Sequence, residues 1–255
     1  MCRAYTHSPH FGWGEAANLG KLLGNWFQAR RLLIVADSGL HKAGVLEPAK
    51  ASLLASGFAF TMFDAVVADP PEQVLLDCVA QGRDAKAEIV LGNGGGSSMD
   101  VAKIAAVMLV SEQPLSDLYG IGKVHGSRLP LVQVPTTAGT GSEVTNITIL
   151  TRPDHSKMGV VADQLYADRV LLDAELTMGL PALHTAATGI DAMVHAIEAY
   201  TSRHKKNPLS DAAAREALRL LSANLVAACE DGSNRAAHVP APVGASSASK
   251  IDHSP

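Results

Sequence analysis

Residues 88–98, EIVLGNGGGSS, decide the fold class of this chain. Residues 88–91 predict a short buried strand, and residues 92–98 form a loop in which three glycines stand together. The periodicity of residues 99–110 is helical. A strand, a glycine-rich loop and a helix in this order are typical of a βαβ unit in a parallel sheet. The stretch therefore predicts an α/β fold.

The same alternation extends to both sides of this unit. Three further strands are predicted at residues 31–36, 58–63 and 129–134, and two further helices at residues 45–56 and 72–85. Because parallel crossovers are right-handed, we expect helices on both faces of the sheet. Ligands of such sheets bind at the carboxyl ends of the strands. Residues 1–178 are therefore predicted to form an α/β, parallel-sheet nucleotide-binding domain.

The predicted secondary structure changes near residue 178 from alternating strands and helices to helices alone. Strand signals vanish there, and residues 185–200 and 208–229 are helical and rich in Ala and Leu. We expect residues 179–235 to form an incomplete, all-helical metal-binding domain. Residues 236–255 consist mainly of Ala, Ser, Pro and Val without an apolar period, which predicts a disordered tail.

The composition excludes several classes of protein. The 255 residues carry a formal net charge of −4, whereas a nucleic-acid-binding face would be basic. No apolar run reaches the length of a membrane span, and the first residues lack the pattern of a signal peptide, so a cytoplasmic protein is expected. The three cysteines, Cys2, Cys78 and Cys229, are too widely spaced for a disulfide scaffold or a zinc ribbon, and we expect incidental thiols.

The glycine-rich loop is a candidate phosphate cradle. Gly95 and Gly96 allow close approach of a phosphate, Ser97 adds a hydroxyl donor, and the following helix directs its free N–H groups at the ligand. Asp100 could cap that helix or contact a nucleotide sugar or substrate. The alternative is a tight turn without a ligand, but a turn does not require three consecutive glycines. The loop is neither a GxGxxG fingerprint nor a Walker loop.

Two further loops follow predicted strands. Asp37 ends the first strand, where an acidic residue can bind ribose hydroxyls or simply form a turn. Residues 135–143 hold four hydroxyl residues and two glycines, which suits a loop that closes over a polar ligand. A generic turn rich in Ser and Thr is the alternative there.

A candidate metal pair lies on the first helix of the C-terminal part. Asp191 and His195 are spaced i and i+4, so their side chains lie on one face. A carboxylate and an imidazole one turn apart can chelate iron, zinc, manganese or nickel. From spacing alone, an Asp–His pair on a solvated face, or Asp191 as a near-cap of the helix, is the better interpretation. Two ligands also do not complete a site.

Three segments together resemble the iron-containing alcohol dehydrogenases: GGGSSMDVAK (residues 94–103), PTTAGTGSEVT (residues 135–145) and LDAELTMGLPALHTAATGIDAMVHAIEAYTS (residues 172–202). The resemblance runs from about Phe11 to about Arg235. It implies a parallel α/β nucleotide domain followed by an all-helical metal domain, a fold that the dehydroquinate synthases share.

The resemblance also implies roles for individual residues. Contacts to the NAD cofactor are implied for Asp37 (adenosine ribose), for Gly95, Gly96 and Ser97 (pyrophosphate), for Thr136, Thr137 and Thr140 (nicotinamide side), and for Lys157 (a ribose hydroxyl). Asp191 and His195 would be the first two metal ligands and thereby catalytic. The bound metal would be iron, with zinc as an alternative.

The function that the resemblance implies is oxidation of an alcohol to an aldehyde or ketone, with hydride transfer to NAD. NAD is expected rather than NADP because Asp37 would repel a 2′-phosphate. The partners would be a small alcohol or aldehyde and further copies of the chain. One alternative is an inactive protein that retains only nucleotide binding. Another is the lyase chemistry of the dehydroquinate synthases, which PTTAGTGSEVT disfavours.

The C-terminal segment departs from the family pattern. The family supplies two further histidine ligands from later helices, in segments rich in His and Gly, and nothing in this sequence matches them. His238 and His253 lie in the predicted tail and are not assigned as ligands. We therefore expect a truncated or altered C-terminus and weak metal binding.

Overall fold

The computed structural model describes residues 9–203 and 206–238. The strands are His10–Gly12 (β1), Arg31–Asp37 (β2), Ala59–Val66 (β3), Ile89–Gly94 (β4), Gly120–Ile121 (β5), Leu131–Pro135 (β6), Ile147–Thr151 (β7), Lys157–Val161 (β8) and Arg169–Asp173 (β9). Six of them form a central sheet in the order β1-β9-β6-β4-β2-β3, in which every neighbouring pair is parallel. A smaller sheet has the order β5-β8-β7, and β7 and β8 form an antiparallel hairpin.

Helices connect and follow these strands. The α-helices are Leu19–Trp26 (α1), Ser38–Lys42 (α2), Glu47–Ala55 (α3), Glu72–Asp84 (α4), Gly96–Met108 (α5), Leu115–Leu118 (α6), Ala182–Thr201 (α7), Pro208–Glu230 (α8) and Arg235–His238 (α9). Short 3-10 helices cover Glu15–Asn18, Ser142–Val144, Asp163–Leu165 and Ala174–Thr177. No helix within the described part of the chain combines the length and the apolar character needed to span a membrane.

The large sheet buries side chains on both of its faces. In β2, Leu33 and Val35 belong to a core shared with α4 and α5, whereas Leu32 and Ile34 belong to a core shared with α1 and α3. This explains why the strand is a continuous apolar run rather than an alternating one. The prediction of a parallel α/β sheet covered by helices on both faces is confirmed.

All four predicted strands and the predicted helices are present, with shifted ends. The largest consequence is at α5, which begins at Gly96 rather than at residue 99 because Gly95 adopts an extended conformation and caps it. Among the strands, the sequence prediction missed β1, β5, the β7–β8 hairpin and β9. The three residues of β1 form a strand only because they pair with β9, His10 opposite Leu171.

Helices α7 and α8 pack through small residues. A Cβ atom added at Gly189 would lie 2.3 Å from Leu225 Cδ1, so the Leu225 side chain packs directly against the backbone of α7 and would have to move to admit one. Ala192 and Ala196 continue the same buried face of α7.

The last strand, β9, ends at Asp173, close to the domain boundary predicted at residue 178. The division into domains at 1–178 and 179–235 stays a prediction.

The two cysteines within the described ranges are free thiols. Burial raises the pKa of the Cys78 thiol to about 12, so Cys78 stays protonated and packs as an apolar side chain. Cys229 is half-buried in α8. Cys2 lies outside the described residues.

The predicted disordered tail is wrong at its first residues. Residues 236–238 belong to α9, and Ala237 and His238 are buried. The hydroxyl of Thr177 lies 3.1 Å from His238 Nδ1, and the Arg235 guanidinium lies 3.9 Å from the centre of the Trp13 ring. The sequence did not predict α9 because it is a single helical turn, stabilised by contacts with residues that are distant in the chain. Residues 239–255, with His253, lie outside the described residues.

The stability of α9 should depend on pH. Burial lowers the pKa of His238, although Asp231 acts in the opposite direction. The unfolded chain then binds a proton at higher pH than the folded chain, and stability is lost as the pH falls below about 6.5, the ordinary histidine pKa. We expect the melting temperature, followed by tryptophan fluorescence, to fall more between pH 7 and pH 5 in wild type than in His238→Asn. His184→Gln, at an exposed histidine, should behave as wild type. Identical pH dependence in wild type and His238→Asn would contradict this prediction.

Candidate nucleotide and metal site

Three polar loops meet at one edge of the large sheet. Strands β6, β4 and β2 are neighbours and parallel, so the loops that follow Pro135, Gly94 and Asp37 all leave from the carboxyl edge. This confirms the expectation that the polar loops lie at strand ends. Asp37, the glycine-rich loop and the loop after β6 therefore lie side by side at the position where α/β sheets bind ligands.

The N-terminus of α5 forms an open cradle. Gly95, Gly96 and Ser97 are half-buried, whereas the flanking Gly94 and Ser98 are buried. A Cβ atom added at Gly95 would meet nothing nearer than the Thr137 side chain at 3.6 Å, so the space above Gly95 is open. The first turn of a 13-residue helix presents free N–H groups and the positive end of its dipole. These features suit a phosphate group.

The loop after β6 lies across this cradle. Its Thr136 N–H donates to Gly94 O at 3.0 Å, and a Cβ atom at Gly96 would come within 2.9 Å of the Thr140 side chain. Thr136 is buried, so its side chain faces the protein interior. Thr137 Oγ1 is buried and has no hydrogen-bond partner within residues 9–203 and 206–238. Of the three threonines, Thr137 and Thr140 flank the glycines directly.

Asp100 anchors the loop after β6 and the hairpin. Ser142 Oγ donates to one carboxylate oxygen at 2.5 Å, and the Ile149 N–H donates to the other at 3.1 Å. Because α5 begins at Gly96, Asp100 lies in the second turn of the helix and is not the helix cap that the sequence suggested as one option. Both carboxylate oxygens of Asp100 accept hydrogen bonds from the protein. Its direct contact with a nucleotide sugar or substrate stays a prediction.

Lys103 is a site residue that the sequence interpretation missed. Its side chain is fully buried, and Nζ donates to Ile147 O at 2.7 Å and to Thr145 Oγ1 at 3.2 Å, with Asp100 Oδ1 at 3.6 Å. Burial lowers the pKa of Lys103, while Asp100 and Glu143 act in the opposite direction. The available signal was that Lys103 is the single polar residue in the part of α5 that follows Asp100.

Asp37 and Lys157 have protein partners in this structure. Asp37 Oδ1 accepts from the Leu40 N–H at 3.0 Å and caps α2, which confirms its turn-forming role. Lys157 Nζ lies 2.6 Å from Asp69 Oδ1, and both side chains are exposed. Asp69 follows β3 with a φ of 50°, in the left-handed region. The ribose contacts of Asp37 and Lys157 stay predictions.

Asp191 and His195 lie on one side of α7, as their spacing predicts, and their role as metal ligands stays a prediction. His195 Nε2 lies 3.9 Å from Asp191 Oδ1 on one side of α7. Two donors that share one ion at about 2.0–2.2 Å each can be this far apart. His195 Nδ1 is buried without a partner from the described part of the chain. Among residues 9–203 and 206–238, no group of three or more His, Cys, Asp or Glu side chains is arranged to hold a metal ion.

A backbone contact connects the cradle to the metal pair. A Cβ atom at Gly139 would lie 2.7 Å from the Thr188 carbonyl oxygen, so the loop after β6 presses directly against α7. Thr188 precedes Asp191 by three residues, which is almost one helical turn. The same loop therefore flanks the glycines and supports the helical turn that carries Asp191.

Comparison with known proteins agrees with this arrangement. Residues 7–174 match the family model described as iron-containing alcohol dehydrogenase. Residues 185–248 match the C-terminal model of the same family, described as Fe-containing alcohol dehydrogenase family, C-terminal. The chain belongs to the iron-containing alcohol dehydrogenase family. The family match extends past residue 235, where the sequence resemblance was expected to end, into residues that the structure does not describe.

Curated relatives of this family are oxidoreductases. The sulfoacetaldehyde reductase of Bilophila wadsworthia is 40% identical over 224 residues, which cover 88% of this chain and 57% of the relative. The long-chain-alcohol dehydrogenase 1 of Geobacillus thermodenitrificans is 39% identical over 236 residues, covering 90% and 58%. The chain thus spans less than three-fifths of the length of these two relatives.

Solved structures share the whole described fold. A 1,3-propanediol oxidoreductase superposes with a TM-score of 0.93 at 32% identity, covering 98% of this chain and 66% of that one. A sulfoacetaldehyde reductase from Bifidobacterium kashiwanohense, solved with NAD+, has a TM-score of 0.87 at 27% identity, covering 98% and 66%. The parallel sheet followed by helices is therefore the fold of the family.

The role of the cradle in cofactor binding can be tested by adding a methyl group at Gly95. Gly95→Ala places a Cβ in the open space above α5 without an internal clash, so we expect NAD affinity, measured by calorimetric titration, to fall about tenfold or more, on the order of 1.4 kcal/mol. Gly24→Ala is the control, because a Cβ there meets nothing within 4 Å. Melting temperatures of both variants report whether the fold is kept. Unchanged NAD affinity in Gly95→Ala would remove the cradle from the cofactor site.

Proposed function

We propose that this chain acts as an NAD-linked, metal-dependent alcohol dehydrogenase that interconverts an alcohol and an aldehyde or ketone. The observation that carries the proposal is the contact between Gly139 and Thr188, which joins the glycine cradle and the Asp191–His195 pair through one loop. The matching relatives are oxidoreductases, which favours this function over nucleotide binding alone.

NAD fits the cradle. Gly95, Gly96 and Ser97 would receive the pyrophosphate at the N-terminus of α5, where a side chain at Gly95 would occupy the same space. Thr137 and Thr140, on the adjoining loop, would face the nicotinamide half. Asp37, at the end of the neighbouring β2, would accept from the adenosine ribose and oppose a 2′-phosphate by charge repulsion.

A divalent metal fits the donor set of α7. A carboxylate oxygen and an imidazole nitrogen suit iron, the metal of this family, and also zinc. When bound, the metal supplies Lewis-acid polarisation of the alcohol oxygen, and NAD supplies the hydride acceptor. The buried Nδ1 of His195 has no partner within the described residues to fix its tautomer. The pair alone therefore binds a metal weakly.

The residues of this chain mainly position the reactants. The Asp100 and Lys103 hydrogen bonds hold residues 142–149 against α5, so the nicotinamide-side threonines keep a fixed distance from the cradle. The Gly139 contact fixes Asp191 and His195 relative to the same loop. These contacts would hold a bound alcohol and the nicotinamide half of NAD in a fixed relative orientation, which would replace a collision between free molecules by an oriented encounter.

Primary alcohols are the substrate class that the relatives suggest. Their names include long-chain alcohols, 1,3-propanediol and sulfoacetaldehyde, which share a terminal alcohol or aldehyde carbon. Self-association is part of the proposal, and apolar side chains exposed on α7, such as Ile190 and Ile197, support it. The cytoplasmic location expected from the sequence stays a prediction.

The activity is tested by following NAD reduction with the purified chain under anaerobic conditions. We expect reduction with 1-propanol, 1,3-propanediol or 1-dodecanol when Fe²⁺ or Zn²⁺ is added in excess, and little activity after dialysis, because the two donors of α7 leave one side of the ion open to water. Absence of NAD reduction under all metal conditions, by a protein that still binds NAD, would favour the alternative of nucleotide binding alone.

Removal of one metal donor should lower metal binding. We expect His195→Gln to take up less Fe²⁺ or Zn²⁺ than wild type in equilibrium dialysis with metal analysis, because only Asp191 then remains of the pair. His184→Gln changes an exposed histidine on the same helix and should bind metal as wild type does. Equal metal uptake by His195→Gln and wild type would place the metal elsewhere.

Cofactor choice depends on the charge of Asp37. Asp37→Asn keeps a side-chain oxygen that can cap α2 but removes the negative charge. Without the repulsion between the Asp37 carboxylate and the 2′-phosphate, discrimination against NADP should weaken by about 1–3 kcal/mol. Dissociation constants of NAD and NADP for both proteins give this ratio. A wild-type protein that already prefers NADP would show that the role of Asp37 is wrong.

A further inference from the structure

The loop between β3 and α4 is joined to the β7–β8 hairpin. Thr151 of β7 makes two hydrogen bonds to it: the backbone N–H donates to Pro70 O and the hydroxyl donates to Asp69 O, both at 3.0 Å. Lys157 of β8 adds an ion pair, with Nζ at 2.6 Å from Asp69 Oδ1. Asp69 is therefore held by the hairpin through its main chain and through its carboxylate.

The backbone of Asp69 adopts a conformation that favours glycine. Its φ is 50°, in the left-handed region, where a residue with a side chain is strained. Strained residues of this kind persist only where their surroundings fix them, and they cluster at ligand sites. Thr151 and Lys157 supply the restraint here. Because a glycine would adopt the same φ without strain, the carboxylate is the feature of Asp69 that calls for a function.

Asp69 lies on the side of the glycine cradle to which the proposed function assigns the adenosine half of NAD, and the inference rests on that function. The cradle follows β4, the nicotinamide-side threonines follow β6 on one side, and Asp37 follows β2 on the other. Strand β3 is the next neighbour of β2 and runs parallel to it. Asp37 pairs in register with Val66, three residues before Asp69. Two acidic side chains therefore follow neighbouring strands at this edge.

Two basic side chains at this edge are already matched with carboxylates. Lys157 is paired with Asp69, and His41 Nδ1 on α2 lies 2.6 Å from Asp64 Oδ2 on β3. Asp37, which caps α2, adds a further negative charge. An anionic group that enters here meets acidic side chains whose basic neighbours are in use, so the edge disfavours a phosphate by charge.

We propose that Asp69, by pairing with Lys157, is a second residue that determines selectivity for NAD over NADP. The pair is exposed and therefore individually weak, so it can open. Opening does not create a phosphate site, because the Asp69 carboxylate then stays unpaired beside the 2′-phosphate and repels it. The neutral 2′-hydroxyl of NAD is not repelled. It can accept a hydrogen bond from Lys157 while the ion pair is kept, because an ammonium group has three donors.

The test is calorimetric titration of the full chain with NADP and with NAD, which does not depend on turnover. Asp69→Asn removes the charge and tolerates the left-handed φ. We expect its dissociation constant for NADP to fall about tenfold, the factor for one hydrogen bond from a freed ammonium group. The dissociation constant for NAD should stay within about threefold of wild type. Asp69→Gly, which also adopts this φ, should show the same gain. Asp77→Asn removes an exposed carboxylate from α4 and should bind both cofactors as wild type does.

Lys157 is tested in the same background. Lys157→Met combined with Asp69→Asn should return the NADP dissociation constant to the wild-type value. The NADP affinity gained by Asp69→Asn should also fall more steeply with added salt than the NAD affinity, because salt screens an exposed contact between phosphate and ammonium.

Three results would overturn the role of Asp69 and leave NAD binding, and hence the proposed function, intact. The first is NADP affinity in Asp69→Asn and Asp69→Gly equal to that of wild type. The second is a gain that survives Lys157→Met, which would place the phosphate on another cation such as Lys42. The third is an equal gain in Asp77→Asn, which would make net charge the cause. A folded wild-type chain that binds no NAD would instead remove the proposed cofactor, and this inference with it.

Discussion

The buried ammonium group of Lys103 is the interaction on which the rest of the site depends. A cation with no solvent contact is costly unless every hydrogen is paired, and here Thr145, the Ile147 carbonyl and Asp100 surround it. These partners lie on α5 and on the segment that follows β6. The charge can be satisfied only if that segment folds back over the helix. A neutral side chain of similar size would leave the loop without this requirement, so the lysine specifies the loop position rather than merely filling space.

The position of α7 relative to the sheet is then set by a close approach of backbone atoms. The loop held by Lys103 and Asp100 carries Gly139, which lies against the carbonyl of Thr188 on α7, and Gly189 in turn lies against Leu225 on α8. At Gly139 a Cβ atom would meet a backbone oxygen, whereas at Gly189 it would meet the end of a leucine side chain, which can move. Gly139 therefore sets the separation between the carboxyl edge of the sheet and α7. Arrangements of this kind deform little, because packed backbone cannot be compressed.

The sequence alone predicted the parts of this structure that depend on local pattern. Four strands, their helices and the carboxyl-edge position of the three polar loops followed from apolar runs and glycine clusters. The Asp191–His195 spacing followed from helix periodicity. Contacts between distant segments could not be predicted in this way: β1 exists only through pairing with β9, α9 only through Thr177 and Trp13, and the anchoring role of Asp100 only through Ser142 and Ile149. The burial of Lys103 was hidden because a lysine in a helix is ordinarily solvated.

Strand β1 has a consequence for the order of events during folding. It pairs with β9 across about 160 residues of chain, and the Asp173 carboxylate accepts hydrogen bonds from the Gly14 and Ala16 N–H groups at 2.8 and 2.7 Å. The N-terminal segment is synthesised first, yet it has no strand to join until β9 has left the ribosome. Such non-local pairing is entropically expensive and therefore late. Until it forms, β9 is an exposed sheet edge with unpaired N–H and C=O groups, which is the kind of surface on which nascent chains associate wrongly.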